Sequence, residues 1–178
     1  MSALMASGCG GSGESEVERK YEPAEAAAKA IEHYDRDGDG KLSAEELKGS
    51  PALAESGRRL DQDGDRIVTR EEMQTRFEEL EGMSDLVAVD LQVTSQRRPL
   101  AGAEVTLTPE SFMGEGLQTY SGTTNDGGGT SLTGSTVQLP GLPSGFYQAK
   151  IVHAGQGIDA VRGVEIADDV GNRVQIAL

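Results

Sequence analysis

Between residues 21 and 82 the apolar positions recur three and four apart: Ala27, Ala28, Ile31 and Tyr34, then Leu47, Leu53 and Leu60, then Met73, Phe77 and Leu80. That spacing places one side chain per turn on a common helix face. It predicts short helices over 23–34, 44–49, 51–60 and 70–81 that share one small core. Ser50-Pro51 supplies an N-cap and a first-turn proline for the third helix, and Gly82 stops the fourth. Beyond residue 85 the period changes to two. Val87, Val89, Leu91 and Val93 alternate with Ala88, Asp90, Gln92 and Thr94, and Ala103, Val105 and Leu107 alternate with Glu104, Thr106 and Thr108. Tyr147, Ala149 and Ile151, then Val164 and Ile166, then Val174, Ile176 and Leu178 continue the pattern. Short alternating strands between Gly and Pro turns predict an antiparallel β-sandwich.

The fold class expected is therefore α+β as two domains: an all-α pair at 21–82 and a sandwich at 83–178, with the boundary near Gly82-Met83-Ser84-Asp85. Residues 1–20 are a third kind of segment, rich in small residues and without periodicity, in which 10–20 read as a flexible tether. Charge follows the same division. The chain carries a formal −14, and the helical part is the charge-dense one. So acidic a field repels phosphate polyanions and excludes nucleic acid as a partner. One Cys and two His exclude an internal disulfide and a cysteine-based zinc site. No apolar run is long enough to span a bilayer.

The acidity is concentrated in two segments. Residues 35–46 read DRDGDGKLSAEE, with Asp35, Asp37 and Asp39 at positions one, three and five, Gly40 at six, Ser43 at nine and Glu46 at twelve. This resembles the EF-hand calcium loop at each diagnostic position. A hard cation that takes six to eight oxygens is wrapped by alternate residues of a tight loop, and a Glu at position twelve closes the site with both oxygens. In that geometry Lys41 contributes its backbone carbonyl and Ser43 acts through a water. Residues 61–72, DQDGDRIVTREE, repeat the pattern with Asp61, Asp63, Asp65, Ile67 (by its carbonyl), Thr69 and Glu72. Ser43 with Glu46 and Thr69 with Glu72 also form capping boxes that start the exiting helices. The departure is Arg66 at position six, where a left-handed conformation costs a non-glycine residue ~1–2 kcal/mol, so the second site is expected to be the weaker. Leu42 and Val68, each at position eight, are expected to pair as short strands. The close spacing of the loops resembles compact bacterial EF-hand pairs. Dockerin modules space their loops similarly but lack the entering helix that PAEAAAKAIEHY provides here.

The phrases PLAGAEVTL, SGTTNDGG and LPGLPSGFYQAKI resemble the carboxypeptidase-regulatory-like, or transthyretin-like (prealbumin-like), family over residues 86–178. The resemblance implies a noncatalytic accessory or adhesion-type module and names no ligand for it. Hydrolases of that fold depend on His and Arg groups, whereas this half offers only His153, and no nucleophile sits beside a base. No enzymatic activity is expected. His153 reads as structural and His33 as a helix-surface residue. The Gly/Ser/Thr-rich stretch 109–136 reads as one long connection.

Cys9, in the stretch Ala6-Ser7-Gly8-Cys9 ahead of the glycine-rich tether, resembles the lipobox of bacterial lipoproteins, although residues 1–8 hold no Lys or Arg and too little apolar length for a signal peptide. The resemblance implies a lipoprotein signal remnant ahead of the tether and lipidation at Cys9, hence membrane contact through an anchor and a place in the cell envelope or outside the cell. The sequence thus points to an exported calcium-binding protein; the alternatives are a calcium-dependent interaction module, whose sandwich or 109–136 stretch engages a cell-surface protein or glycan, and an intracellular calcium sensor or buffer.

Overall fold

The computed structural model describes residues 21–83, 86–138, 140–171 and 173–178. Cys9 and the segment 1–20 lie outside the described residues, as do Ser84 and Asp85 at the expected boundary. The fold is mixed α+β. Helix α1 (Pro23–Tyr34) leads through an acidic loop to strand β1 (Lys41–Ser43) and helix α2 (Ala44–Leu47). Helix α3 (Pro51–Leu60), a second acidic loop, strand β2 (Ile67–Thr69) and helix α4 (Arg70–Glu81) complete the helical part. The first two helices end where expected except that α2 stops at Leu47, two residues short, because the chain turns through Lys48 and Gly49 to reach the Ser50 cap. β1 and β2 pair antiparallel with Leu42 opposite Val68.

Two sheets form a β-sandwich-like region. In chain order its strands are β3 (Asp90–Ser95), β4 (Arg98–Pro99), β5 (Glu104–Pro109), β6 (Tyr120–Thr123), β7 (Gly129–Thr130), β8 (Thr133–Gly134), β9 (Gly145–His153), β10 (Ile158–Ile166) and β11 (Arg173–Ala177). Five of them make a sheet in the order β10-β9-β5-β6-β8; the other sheet runs β11-β3-β4, with β7 also on β3. Leu91, Val93 and Ile176 of the smaller sheet meet Val105, Leu107, Tyr147, Ala149, Ile151 and Val164 of the larger in one buried cluster.

Three expectations need correction. The region is not wholly antiparallel: β11 pairs parallel with β3, because alternation fixes which face a residue takes and carries no information about strand direction. The stretch 109–136 is not a single connection. It holds a 3-10 turn at Ser111–Met113 and strands β6, β7 and β8, whose two- to four-residue lengths are too short to show a period. On α1 the buried face is Ala26, Ala27 and Ala30, while Ile31 and Tyr34 are only partly buried, a rotation that small residues permit because each helix approaches closely.

The alternate face of the larger sheet is also covered. On β9, Phe146 is fully buried like its neighbour Tyr147, and the two point to opposite faces of the strand. Phe146, Phe112, Met113 and Ala167 join Ala27, Leu53, Met73, Phe77 and Leu80 in a single cluster. Phe77 stacks on Phe112 at 5.8 Å between ring centroids and meets Phe146 edge-on at 5.3 Å. The helices therefore form a third layer on the five-stranded sheet, and the helical part completes its core with aromatic side chains from the strand part. Gly163 of β10 lets the first turn of α3 lie directly on the strand, since a Cβ there would overlap the Pro51 carbonyl and come within 2.5 Å of the Ala52 nitrogen.

Candidate metal centre

Each acidic loop folds on its own backbone. Asp35 accepts hydrogen bonds from Gly38 N–H at 2.7 Å and Gly40 N–H at 2.8 Å, Asp37 from Asp39 N–H at 3.2 Å, and Asp39 from Lys41 N–H at 2.9 Å. The second loop repeats the set: Asp61 accepts from Gly64 at 2.8 Å and Arg66 at 3.0 Å, Asp63 from Asp65 at 3.0 Å, and Asp65 from Ile67 at 2.7 Å. Short carboxylates at alternate positions can reach forward to N–H groups two to five residues on, and so tighten the turn. Gly40 takes φ 83° and Arg66 takes φ 70°, so the sixth position is left-handed in both loops, and at Arg66 a side chain bears the strain.

The result is two groups of three carboxylates. Asp35, Asp37 and Asp39 offer oxygens that lie within 4.8 Å of one another, and so do Asp61, Asp63 and Asp65. The first member of each group is half-buried and the others are exposed. Like charges at such distances repel by roughly 1 kcal/mol per pair even in bulk water. A bound cation reverses that sign. All donors are hard oxygens, a set suited to Ca²⁺ or Mg²⁺ and unsuited to soft metals.

Glu46 and Glu72 do not belong to these groups. Glu46 accepts from Ser43 N–H at 2.8 Å and Ser43 Oγ–H at 2.7 Å with one oxygen, and from Arg36 N–H at 2.8 Å with the other. It bridges the start and end of its loop. Bonds from the Ser43 backbone and hydroxyl, and then from Arg36, hold its carboxyl down to about 2. Glu72 repeats the arrangement with Thr69 N–H and Oγ1–H, both at 2.8 Å, and Gln62 N–H at 3.0 Å. Its partial burial works against ionisation, but those bonds outweigh it and lower its pKa. Ser43 and Thr69 are thus occupied as caps, with both capping boxes formed. Lys41 and Ile67 open β1 and β2.

His153 stands apart from both loops. Its Nδ1 accepts from Gln156 N–H at 3.1 Å and its Nε2 lies 3.1 Å from the Ala101 carbonyl, so both ring nitrogens serve local backbone. His33 is exposed on α1, edge-on to Tyr34.

Charged groups outside the two loops gather where the helices meet the sheet. Arg76 of α4 is buried, with Nε 2.8 Å from Glu165 and its two terminal nitrogens 2.7 and 2.8 Å from Asp169. Burial alone would lower its basicity, but the bonds to Asp169, Glu165 and Glu79 hold it above its ordinary value. Arg76 bonding in turn keeps Asp169 below the usual carboxylate range. Glu165 also accepts from Arg59 Nε at 2.7 Å. Glu110, buried after β5, accepts from Ser50 Oγ at 2.6 Å, Ala52 N–H at 3.2 Å, Gln148 Nε2 at 2.8 Å and, at 3.4 Å, the Tyr34 hydroxyl. Sequence did hold one signal: Arg76 falls on the stripe of Met73, Phe77 and Leu80, where a charge demands a buried partner.

No family model matches this chain, and no curated protein matches it either.

Proposed function

We propose that the chain binds two calcium ions, one in each acidic loop, and that the helical part is an EF-hand pair. The observation that carries this reading is the gathering of three carboxylates at loop positions one, three and five, twice over, around a left-handed sixth residue. Asp35, Asp37 and Asp39 would hold one ion and Asp61, Asp63 and Asp65 the other, with the carbonyls of Lys41 and Ile67 and the carboxylates of Glu46 and Glu72 completing the oxygen set. Calcium supplies a fixed positive charge that turns carboxylate repulsion into attraction.

The role is structural rather than sensory. A sensor exposes an apolar surface when its helices open, whereas here Phe112, Phe146 and Ala167 fill the apolar face of the helices. Binding to the folded chain alone stabilises it by about 2.7 kcal/mol at a hundredfold excess over the dissociation constant. The strand part serves as a noncatalytic transthyretin-like module. The protein is exported and lipid-anchored through Cys9, whose sequence context supports that assignment.

Thermal melts test the reading. Calcium at millimolar concentration raises Tm and a chelator reverses the rise, while Mg²⁺ at the same concentration does less. The Asp35→Ala, Asp61→Ala double variant shows no calcium-dependent rise. Equal melting with calcium and with chelator in the wild type refutes the assignment.

A further inference from the structure

Two buried carboxylates of the strand part each hold both flanks of one acidic loop. Tyr34 immediately precedes Asp35, and Ser50 follows Glu46 by four residues. Both reach Glu110, at 3.4 Å through the Tyr34 hydroxyl and at 2.6 Å through Ser50 Oγ. Tyr34 is tied to the exit side a second way, since its ring lies so close to Gly49 that a Cβ there would come within 2.8 Å of Cδ1. The second loop repeats the plan with different chemistry. Arg59 precedes Asp61 by two residues, and Arg76 follows Glu72 by four. Both donate to Glu165, one to each oxygen, at 2.7 and 2.8 Å. Neither Glu110 nor Glu165 belongs to an acidic loop: Glu165 lies on β10, and Glu110 directly follows β5 with its N–H donating to the Phe146 carbonyl at 2.9 Å.

From this arrangement we infer that Glu110 and Glu165 are positioning residues that couple calcium binding to the docking of the strand part, Glu110 for the first loop and Glu165 for the second. The inference rests on the calcium reading above and adds the partner through which those sites act, which is the chain's own sheet. A loop whose entry and exit are clamped to one group is presented to the ion with its flanks already at their bound separation, so less ordering is left to binding. Linkage makes the effect reciprocal: whatever docking adds to calcium affinity, calcium adds to docking. The aromatic contacts of Phe77 with Phe112 and Phe146 supply the apolar part of the same interface.

Calorimetric titration of the full chain with calcium tests this. In an Asp61→Ala background, where only the first loop binds, Glu110→Ala lowers affinity at least roughly fivefold, the lower end of ordinary coupling between sites, and Glu110→Gln falls between. In an Asp35→Ala background Glu165→Ala does the same for the second loop, and Glu165→Gln again falls between. A role confined to stability lowers Tm with and without calcium alike and leaves the affinities within twofold of their backgrounds; that result overturns the inference. Hydrogen exchange on the wild-type chain gives an answer that needs no variant to fold. Calcium slows exchange across β9 and β10, at residues 145–153 and 158–166, and unchanged exchange there overturns the coupling. Failure of the wild type to take up calcium overturns the underlying reading, whereas uptake with unmoved affinities and exchange overturns this inference alone.

Discussion

Gly163→Ala separates this structure from any reasoning based on local propensity. In an ordinary strand the added methyl narrows the unfolded ensemble and stabilises a protein by about 0.4–1 kcal/mol. Here the Cβ would overlap the Pro51 carbonyl and sit 2.5 Å from Ala52 N, against a working minimum of 3.0 Å, with only backbone atoms in the way. Helix α3 and strand β10 must part by about 1 Å, and overpacking of that kind costs roughly 1–3 kcal/mol. The same movement lengthens the bond from Ala52 N–H to Glu110, already 3.2 Å, and a hydrogen bond to a charged group is worth about 1.5–3 kcal/mol. Partial loss of that bond, set against the entropic gain, leaves a net loss of about 2–4 kcal/mol. Urea unfolding followed by far-UV circular dichroism reads this as a midpoint lowered by ~1–2 M, for a dependence near 2 kcal/mol per M. Gly57→Ala is the matched control. It sits inside α3 with Leu47 Cδ1 3.6 Å from the new methyl, an ordinary contact, and gains about 0.5–1 kcal/mol from helix propensity. Opposite signs for the two variants are expected. A Gly163→Ala chain as stable as the wild type refutes the account of direct backbone contact between the layers.

Asp35→Ala or Glu46→Gln abolishes calcium binding at the first loop and leaves the second, so calorimetry records one binding event instead of two. Arg66→Gly removes the left-handed strain at φ 70° and tightens the second site by up to roughly tenfold, the equivalent of ~1.4 kcal/mol; an unchanged constant contradicts the strain argument. The pH dependence follows from carboxyls whose folded pKa values are depressed. Glu46, lowered from 4.5 to about 2, contributes stability that is present in full above about 4.5 and is lost as pH falls toward 2. Asp169 is shifted in the same direction by Arg76. Acid titration monitored by circular dichroism is expected to show stability falling across that window, and Glu46→Gln, which cannot ionise, removes its share of the slope.

The two acidic loops were legible in sequence because their chemistry is local. Positions one to twelve, both capping boxes and the left-handed Arg66 each depend on residues within a dozen of each other, and the Leu42–Val68 pair follows from position eight recurring in two copies of one loop. Helix ends at Ser50-Pro51 and Glu81-Gly82 were legible for the same reason. The joint between the two parts was not, since Glu110 meets Ser50 across sixty positions and Arg76 meets Glu165 across eighty-nine. Alternation places Glu165 on the opposite face of β10 from Val164 and Ile166 and carries no information that α3 covers that face. Adjacent Phe146 and Tyr147 were the available hint, because two large aromatics in succession on a strand imply burial on both sides. The parallel pairing of β11 with β3 joins the last strand to the first of its sheet, and no spacing rule records that choice.

Calorimetric titration of the chain, residues 1–178, with CaCl₂ near neutral pH tests calcium binding most directly. Two ions per chain are predicted, with the first loop the tighter. An absence of binding heat up to millimolar calcium, together with an unchanged Tm, contradicts it.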